Sequence, residues 1–416
     1  MLKGIQIQIY PNKTQASEIL RTLGTSRFIW NTILSDDIKS YKETGKFKHR
    51  SKKQLKEEFP WMKETGEQPK DNVFANYRKA MQNRFSKTRK TKTGFPKFKS
   101  KRGTERYSVC TTGWLKDGRS GMARIDSNRR IKLSRLGEVK FRSGFGFEFL
   151  NKLKVNKYTI TKTRSGKFYC SLLTDVDVPA LPPATRCVGV DLGIKDFAVC
   201  SDGKKFDGLD YKKIDRRITF LQKNHSRTQK GSHNREKARI RLALAHERKA
   251  NMRKDFLHKL SSKLVSESQV ICLEDLNVQG MVKNHSLARS ISNQGWGEFV
   301  SMLEYKSKWY GREMVKIGRF YPSSKTCSEC GNKNDNLTLS DREWICSSCG
   351  CVLDRDVNAA KNILREGIEI ITNRRADGDS LCKLGMKGDE PKFIMDSSIE
   401  QECSTKNSTL WLSRAS

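Results

Sequence analysis

No stretch of the 416 residues approaches the roughly 18 to 20 uninterrupted apolar residues of a membrane-spanning helix. The start of the chain lacks the pattern of a secretory leader, because Ile5, Ile7 and Ile9 alternate with polar residues as in a strand. A cytoplasmic protein is expected. Acidic residues are scarce beside basic ones, 46 Asp and Glu against 82 Lys and Arg, leaving a formal net charge of +36. That is far more than solubility needs, so it implies a polyanionic partner, nucleic acid before a membrane surface. Cysteines in disulfide-like spacing are also missing outside one cluster. Of the twelve, Cys170, Cys187, Cys200 and Cys272 lie singly in apolar runs, the usage of a reducing compartment.

The length accommodates two or three domains with their own cores. After the first strand, Asn12 with Gln15 three residues on reads as a helix N-cap. Apolar residues then recur at helical spacing in three groups, residues 16–23, 28–41 and 73–85, a small helical domain. A basic tract over 87–102 follows, broken by Gly94-Phe95-Pro96 and Phe98. It reads equally as a solvated linker and as a surface whose phenylalanines stack on bases or pack on the next domain.

From Tyr107 to Val178 short alternating runs take over, at 122–125, 130–133, 139–141, 154–163 and 167–176. Closely spaced short strands predict a small β-barrel, with the N-terminal strand joining it and the helical region inserted. Pro179, Pro182 and Pro183 mark a boundary. Beyond them, strands at 186–191, 197–200 and 268–274 alternate with helical segments, which makes an α/β domain. The basic helical stretch 212–263 reads as a phosphate-facing helix pair, and the helix from Trp296 as core. After Ala376 the chain is polar and Ser-rich without periodicity, so disorder is expected.

Two knuckles carry the strongest chemical signal: Cys327-x-x-Cys330 and Cys346-x-x-Cys349, each followed by a glycine, Gly331 and Gly350. Four thiolates in this spacing converge tetrahedrally on zinc and leave it no open position, so the metal is structural. Cys351 is an additional thiol, and the two-residue spacing favours Cys349 over it.

Carboxylates at strand ends point to a second kind of site. Asp191 closes Val188-Gly189-Val190-Asp191, and Glu274 closes Val270-Ile271-Cys272-Leu273-Glu274. A third acid, Asp354 or Asp356, stands at a helix start, and Asp275 competes with Glu274 from the opposite strand face. Three such groups on separate elements could hold two divalent cations about 3.5 to 4 Å apart for phosphodiester hydrolysis. All-oxygen ligands favour magnesium or manganese.

The order Gly189-Val190-Asp191-Leu192-Gly193-Ile194-Lys195, Leu273-Glu274-Asp275-Leu276, Tyr321-Pro322-Ser323-Ser324-Lys325-Thr326-Cys327 and Asp354-Arg355-Asp356-Val357-Asn358-Ala359-Ala360 resembles the TnpB family. So do Tyr10-Pro11-Asn12-Lys13, residues 25–31, Gly94-Phe95-Pro96-Lys97-Phe98 and residues 290–296. These are transposon-encoded, RNA-guided nucleases of IS200/IS605-type elements, related to Cas12 effectors. The resemblance spans residues 1 to about 370. It implies a multidomain α+β protein: an RNase H-like (RuvC) α/β nuclease domain at 181–320 and 353–372, with a zinc ribbon at 321–352 that binds target nucleic acid. A β-barrel wedge domain at 1–10 and 105–180 and a helical recognition domain with its basic linker at 11–104 complete it, and the tail 373–416 has no counterpart. It further implies Asp191, Glu274 and Asp356 as catalytic ligands of Mg2+ or Mn2+, and Cys327, Cys330, Cys346 and Cys349 as ligands of structural Zn2+. The implied partners are a guide RNA from the transposon end and double-stranded target DNA with a short flanking motif, and the implied activity is metal-dependent DNA endonuclease cleavage. A transposase that transfers strands itself, and a non-cleaving RNA/DNA-binding regulator, are the rival expectations.

Overall fold

The computed structural model describes residues 2–86, 94–101, 103–111, 113–116, 118–338 and 341–376. Part of the basic tract, 87–93 and 102, and the tail from 377 onward lie outside the described residues. The chain divides into two compact units, one formed by residues up to Asp177 with Leu221–Leu244, the other by Val178–Phe220 with residues from Ala245 on.

The first unit opens with β1 (Leu2–Tyr10) and α1 (Lys13–Thr44). The Asn12 side chain accepts from Gln15 N at 2.8 Å while Gln15 Oε1 accepts from Asn12 N at 3.0 Å, the reciprocal cap expected from the sequence. The two helices expected over 16–41 are one continuous helix. Gly24 sits within it with nothing near its Cα where a side chain would go, so it weakens the helix without breaking it. There follow α2 (Lys52–Glu58), a 3-10 turn (Pro60–Glu64) and α3 (Glu67–Phe85). Ile29, Ile33, Leu34, Leu55, Met62 and Tyr77 make their shared core. Of the two phenylalanines in the basic tract, Phe95 packs against this core and Phe98 is exposed.

The strands β2 (Glu105–Cys110), β3 (Ala123–Ser127), β4 (Arg130–Leu133) and β5 (Gly137–Arg142) come next, then the short helix α4 (Phe147–Asn151), β6 (Lys154–Lys162) and β7 (Phe168–Asp175). With β1 they form one seven-stranded antiparallel sheet, ordered β2-β6-β7-β1-β5-β4-β3. Their alternating apolar residues, Ile5, Ile7, Ile9, Val109, Ile131, Val139 and Leu172 among them, bury into a single core.

The second unit is built on β8 (Cys187–Asp191), β9 (Asp196–Cys200) and β10 (Lys205–Asp207). The long helices α5 (Lys212–Arg227) and α6 (His233–Glu267) follow, the basic stretch interrupted at 228–232 and its residues Leu221–Leu244 grouping with the first unit. Then come β11 (Val270–Glu274), α7 (Val278–Met281), α8 (Ala288–Gln294), α9 (Trp296–Tyr310) and β12 (Glu313–Ile317). The short hairpin β13 (Glu343–Ile345) and β14 (Val352–Asp354) leads directly into α10 (Arg355–Ala376). The main sheet runs β10-β9-β8-β11-β12, antiparallel on the β9 side of β8 and parallel on the β11 side.

Strand periodicity of two sorts this sheet into two faces. Val188, Val190, Ile271 and Leu273 pack toward the core of α6, α8 and α9, where Leu257, Trp296, Phe299 and Leu303 are buried. Cys187, Val270 and Cys272 pack with Ile363, Leu364 and Ile371 of α10. Glycine at 189 is a steric requirement of that second face. A Cβ there would lie 2.1 Å from Ala360 O and 2.7 Å from Leu364 N, so helix backbone and strand backbone meet directly. The helix answers with Gly367, where a Cβ would lie 2.3 Å from Cys272 Sγ.

Candidate active site and metal centre

The same periodicity fixes where the strand-end acids point. Counting by twos from Cys187 and Gly189 reaches Asp191, and from Val270 and Cys272 reaches Glu274, so both carboxylates belong to the α10 face. The strands are parallel neighbours paired through Val190 and Leu273, so the two acids stand side by side at their C-terminal ends. Asp356 lies in the first turn of α10, on the helix that covers this face. Burial raises the Asp191 carboxyl to about 7, and the charges of Glu274 and Asp356 push the same way. Burial also raises Glu274, against a hydrogen bond from Ser323 Oγ that favours its ionised form.

The competing acids are used differently. Asp354 Oδ1 accepts from the backbone N–H groups of Asp356 at 3.0 Å and Val357 at 2.9 Å, which caps α10, and its Oδ2 pairs with Lys205 at 2.6 Å. Burial alone would raise this carboxyl, but Lys205 and the two backbone donors hold it below its ordinary value. Asp275 turns to Arg319, whose Nη2 lies 2.6 Å from Oδ2. Asp356 itself is met by Arg342 at 3.4 Å. Spacing alone left both choices open; in the structure Asp354 serves as a helix cap and Asp275 as an ion-pair partner of Arg319.

The cysteine knuckles repeat one geometry twice. Gly331 N donates to Cys327 O and Gly350 N to Cys346 O, each at 2.9 Å, with both glycines at positive φ, +78° and +71°. Cys327 N and Cys346 N are in turn bonded to the carbonyls of Asn332 and Cys351. The four sulfurs converge: all ligand atoms lie within 4.8 Å of one another, with Cys327 and Cys349 at 3.7 Å and Cys330 and Cys346 at 3.5 Å. A disulfide would need about 2.05 Å. A tetrahedron of thiolates about 2.3 Å from zinc has edges near 3.8 Å, so the donor set fits that ion. Backbone N–H groups of Cys349 and Ser348 favour the Cys346 thiolate, holding its thiol down to about 6 against burial. Cys351 contributes its carbonyl and a half-buried side chain to the ribbon core of Leu337, Trp344 and Leu353. Among the described residues this quartet alone gathers three or more potential ligands so tightly; the three carboxylates are spread wider.

Two buried amides, whose role the sequence did not disclose, fasten the ribbon to α10. Asn358 Oδ1 accepts from Ser328 N at 2.7 Å and its Nδ2 donates to Thr326 O at 2.7 Å. Asn362 Nδ2 donates to the carbonyls of Ser323 at 2.8 Å and Thr326 at 2.6 Å. Both side chains are essentially inaccessible to water, so each satisfied bond matters. Ser323, part of the 321–327 motif but given no role by the sequence, closes the loop by its bond to Glu274.

Comparison with known proteins gives this arrangement a lineage. Residues 170–285 match the OrfB_IS605 family, described as "Probable transposase", and 296–363 match the Cas12f1-like TNB domain. Residues 1–46 match a domain described as helix-turn-helix, although here they form β1 and the single helix α1. A protein of Streptomyces pristinaespiralis, named "Putative RNA-guided DNA endonuclease", is 35% identical over 379 residues, 88% of this chain and 89% of its own length. The similarly named InsQ of Escherichia coli strain K12 is 28% identical, covering 89% of this chain and 93% of itself. Among solved structures, the fold resembles the protein in a cryo-EM structure of a Cas12f1-sgRNA-target DNA complex, with a TM-score of 0.51 and 15% identity over 87% of this chain and 98% of that one. With the first of these relatives matched along nearly its whole length, the chain belongs to the transposon-associated TnpB (OrfB_IS605) family.

Proposed function

We propose that this protein is an RNA-guided DNA endonuclease of a transposable element, with Asp191, Glu274 and Asp356 as its catalytic carboxylates. The single observation that carries the site is that Asp191 and Glu274 stand side by side at neighbouring strand ends with Asp356 on the helix that covers their face; desolvation and the two like charges raise the half-buried Asp191 carboxyl, and a cation would relieve that crowding. The donor set is all oxygen, which suits magnesium or manganese, and two such ions would activate water and stabilise the leaving oxygen of a phosphodiester. Ser323 holds Glu274 by one oxygen, Asp354 fixes the start of α10, and Arg342 balances Asp356.

The sheet order, three antiparallel strands followed by two parallel ones with carboxylates at neighbouring strand ends, supports an RNase H-like (RuvC) nuclease domain over 181–320 and 353–372. In this reading the cysteine quartet holds structural zinc in a ribbon at 321–352. The seven-stranded sheet serves as the wedge domain, a barrel built from 1–10 and 105–180, and α1 to α3 as the recognition domain over 11–104. The names of the relatives, and the excess of basic residues with no compact base-reading motif, favour a guide RNA that reads the target while the protein holds the heteroduplex by backbone and shape.

The test is cleavage of a plasmid bearing a matched target by protein carrying its copurified RNA. Magnesium-dependent cutting that is lost on RNase treatment and lost in Asp191→Ala is expected. Cutting that ignores the RNA would remove the guide from the reading, and full activity of Asp191→Ala would remove the site.

A further inference from the structure

Phe320 is 93% exposed, the most exposed large apolar side chain among the described residues. A single exposed apolar residue needs no explanation by itself. Its setting makes the difference. The residue before it, Arg319, is anchored on Asp275 through Nη2 to the carboxylate at 2.6 Å and Nε to the carbonyl at 3.1 Å. The residue after it, Tyr321, packs into the core of β11, β12 and α10, and its N–H donates to Gly318 O at 3.2 Å. Ser323 then bonds to Glu274. The segment 319–323 is thus tied to Glu274 and Asp275 at both ends, and Phe320 is the one side chain in it presented wholly to water.

From this we propose that Phe320 is a stacking platform for a base of the single strand lying at the carboxylate pocket, a positioning residue and not a catalytic one. The inference rests on the nuclease reading above. An aromatic ring suits an unpaired base of any identity, since every base has a π-face, and a guided nuclease must accept any sequence there. The ring is held on a braced backbone, so little ordering is required when a base arrives. Lys205 and Arg342, both partly exposed and paired with Asp354 and Asp356, supply positive charge for the phosphates that link such bases. A second copy of the chain is a poorer occupant for a surface beside acids that must stay reachable by substrate.

The experiment uses the full chain with its copurified RNA and compares wild type with Phe320→Ala, Phe320→Leu and Phe320→Trp in single-turnover cleavage of a matched target. Stacking of about 1 to 3 kcal/mol per base corresponds to a loss of roughly 5- to 150-fold in Phe320→Ala. Leu should be nearly as poor and Trp should restore the rate, with thermal stability and RNA content unchanged throughout. Equal cleavage by Phe320→Ala overturns the proposal, as does rescue by Leu, which would mean plain apolar packing by another part of the chain or a second copy. In an Asp191→Asn background, quenching of 2-aminopurine in a bound single strand should drop on Phe320→Ala. That arm reads stacking without cleavage: if wild type cuts no matched target the nuclease reading fails, while the quenching still decides the platform.

Discussion

The two candidate metal sites are built on opposite plans. The thiolate site draws all four ligands from residues 327–349, and each knuckle is closed by its own backbone hydrogen bonds and a glycine at positive φ. The carboxylate site draws one group each from β8, β11 and α10, separated by most of the second unit. A ligand set encoded locally can close completely, which suits a permanent ion. One assembled from distant elements depends on the packing of the whole sheet, and its wider spread leaves room for substrate. On the proposed reading stability belongs to the first and chemistry to the second, and the contrast can be put to experiment.

The largest effects come from removing one ligand of each kind. Cys346→Ser should lose the zinc in metal analysis and expose 321–352 to protease, since binding energies of about 10 to 16 kcal/mol hold comparable ribbons folded. Asp191→Ala should keep its zinc and its melting temperature yet cut at least on the order of 10^3-fold more slowly. Equal loss of zinc in both would dissolve the distinction.

Next in size is Gly189→Ala. The new methyl would strike Ala360 O, a backbone atom that cannot rotate away, so α10 must shift. We expect a fall of about 3 kcal/mol in unfolding free energy, read from the denaturant midpoint, together with slower cleavage because Asp356 travels with the helix. A midpoint shift below about 1 kcal/mol would show that the strand and helix are not locked together there.

A smaller effect separates the sites by pH. In protein without magnesium or manganese, native Asp191 keeps its proton up to about pH 7, whereas in the unfolded chain it is released near pH 4. Its contribution to stability is therefore complete below about pH 4 and is lost as pH rises through about 7. Asp191→Asn keeps the neutral form at every pH. The shift corresponds to at most about 4 kcal/mol, and solvent at this half-buried group reduces it, so Asn should exceed wild type by about 1 to 2 kcal/mol at pH 8 and match it near pH 4. Thermal unfolding across that range, in buffer free of magnesium and manganese, would reveal it; a gap independent of pH would mean that the crowding is absent.

The smallest is Asp354→Ala, which removes a helix cap and a partly exposed ion pair, about 1 kcal/mol together. Cleavage should fall only a few-fold, in contrast to Asp356→Ala, which should match Asp191→Ala. The reverse ranking in a cleavage time course would exchange the roles of these two acids.

How much of this the sequence disclosed follows the same division. The cysteine spacing named all four thiols, because a knuckle is a local event. Period-two patterning located β4, β6 and β7 to within a residue or so, a short apolar run located β8, and the Asn12 cap was legible because it too is local. The break expected inside α1 was not there, since helical packing of Ile19, Leu23, Ile29 and Ile33 carries the helix through Gly24. Spacing nominated the carboxylates without sorting them, and the family resemblance chose Asp191, Glu274 and Asp356. Asp354 and Asp356 have identical chemistry, and only the hydrogen bonds of Asp354 to the start of α10, and the salt bridge of Asp275 with Arg319, distinguish them from their neighbours. Ser323, Asn358 and Asn362 carried no signal of their roles, because each acts through partners far away in the chain.

The chain enters the ribbon at Ser323, on the carboxylate of Glu274, and leaves it at Asp354, two residues before Asp356. In topological terms the ribbon is a detour whose two feet both rest on α10, Ser323 through Asn362 and Asp354 through the helix start. Between them Thr326 and Ser328 are bonded to Asn358 and Asn362, and Arg342 reaches Asp356, so the detour is fastened to α10. A tilt of this detour would therefore be felt at the carboxylates on which it stands, because its own Arg342 reaches Asp356.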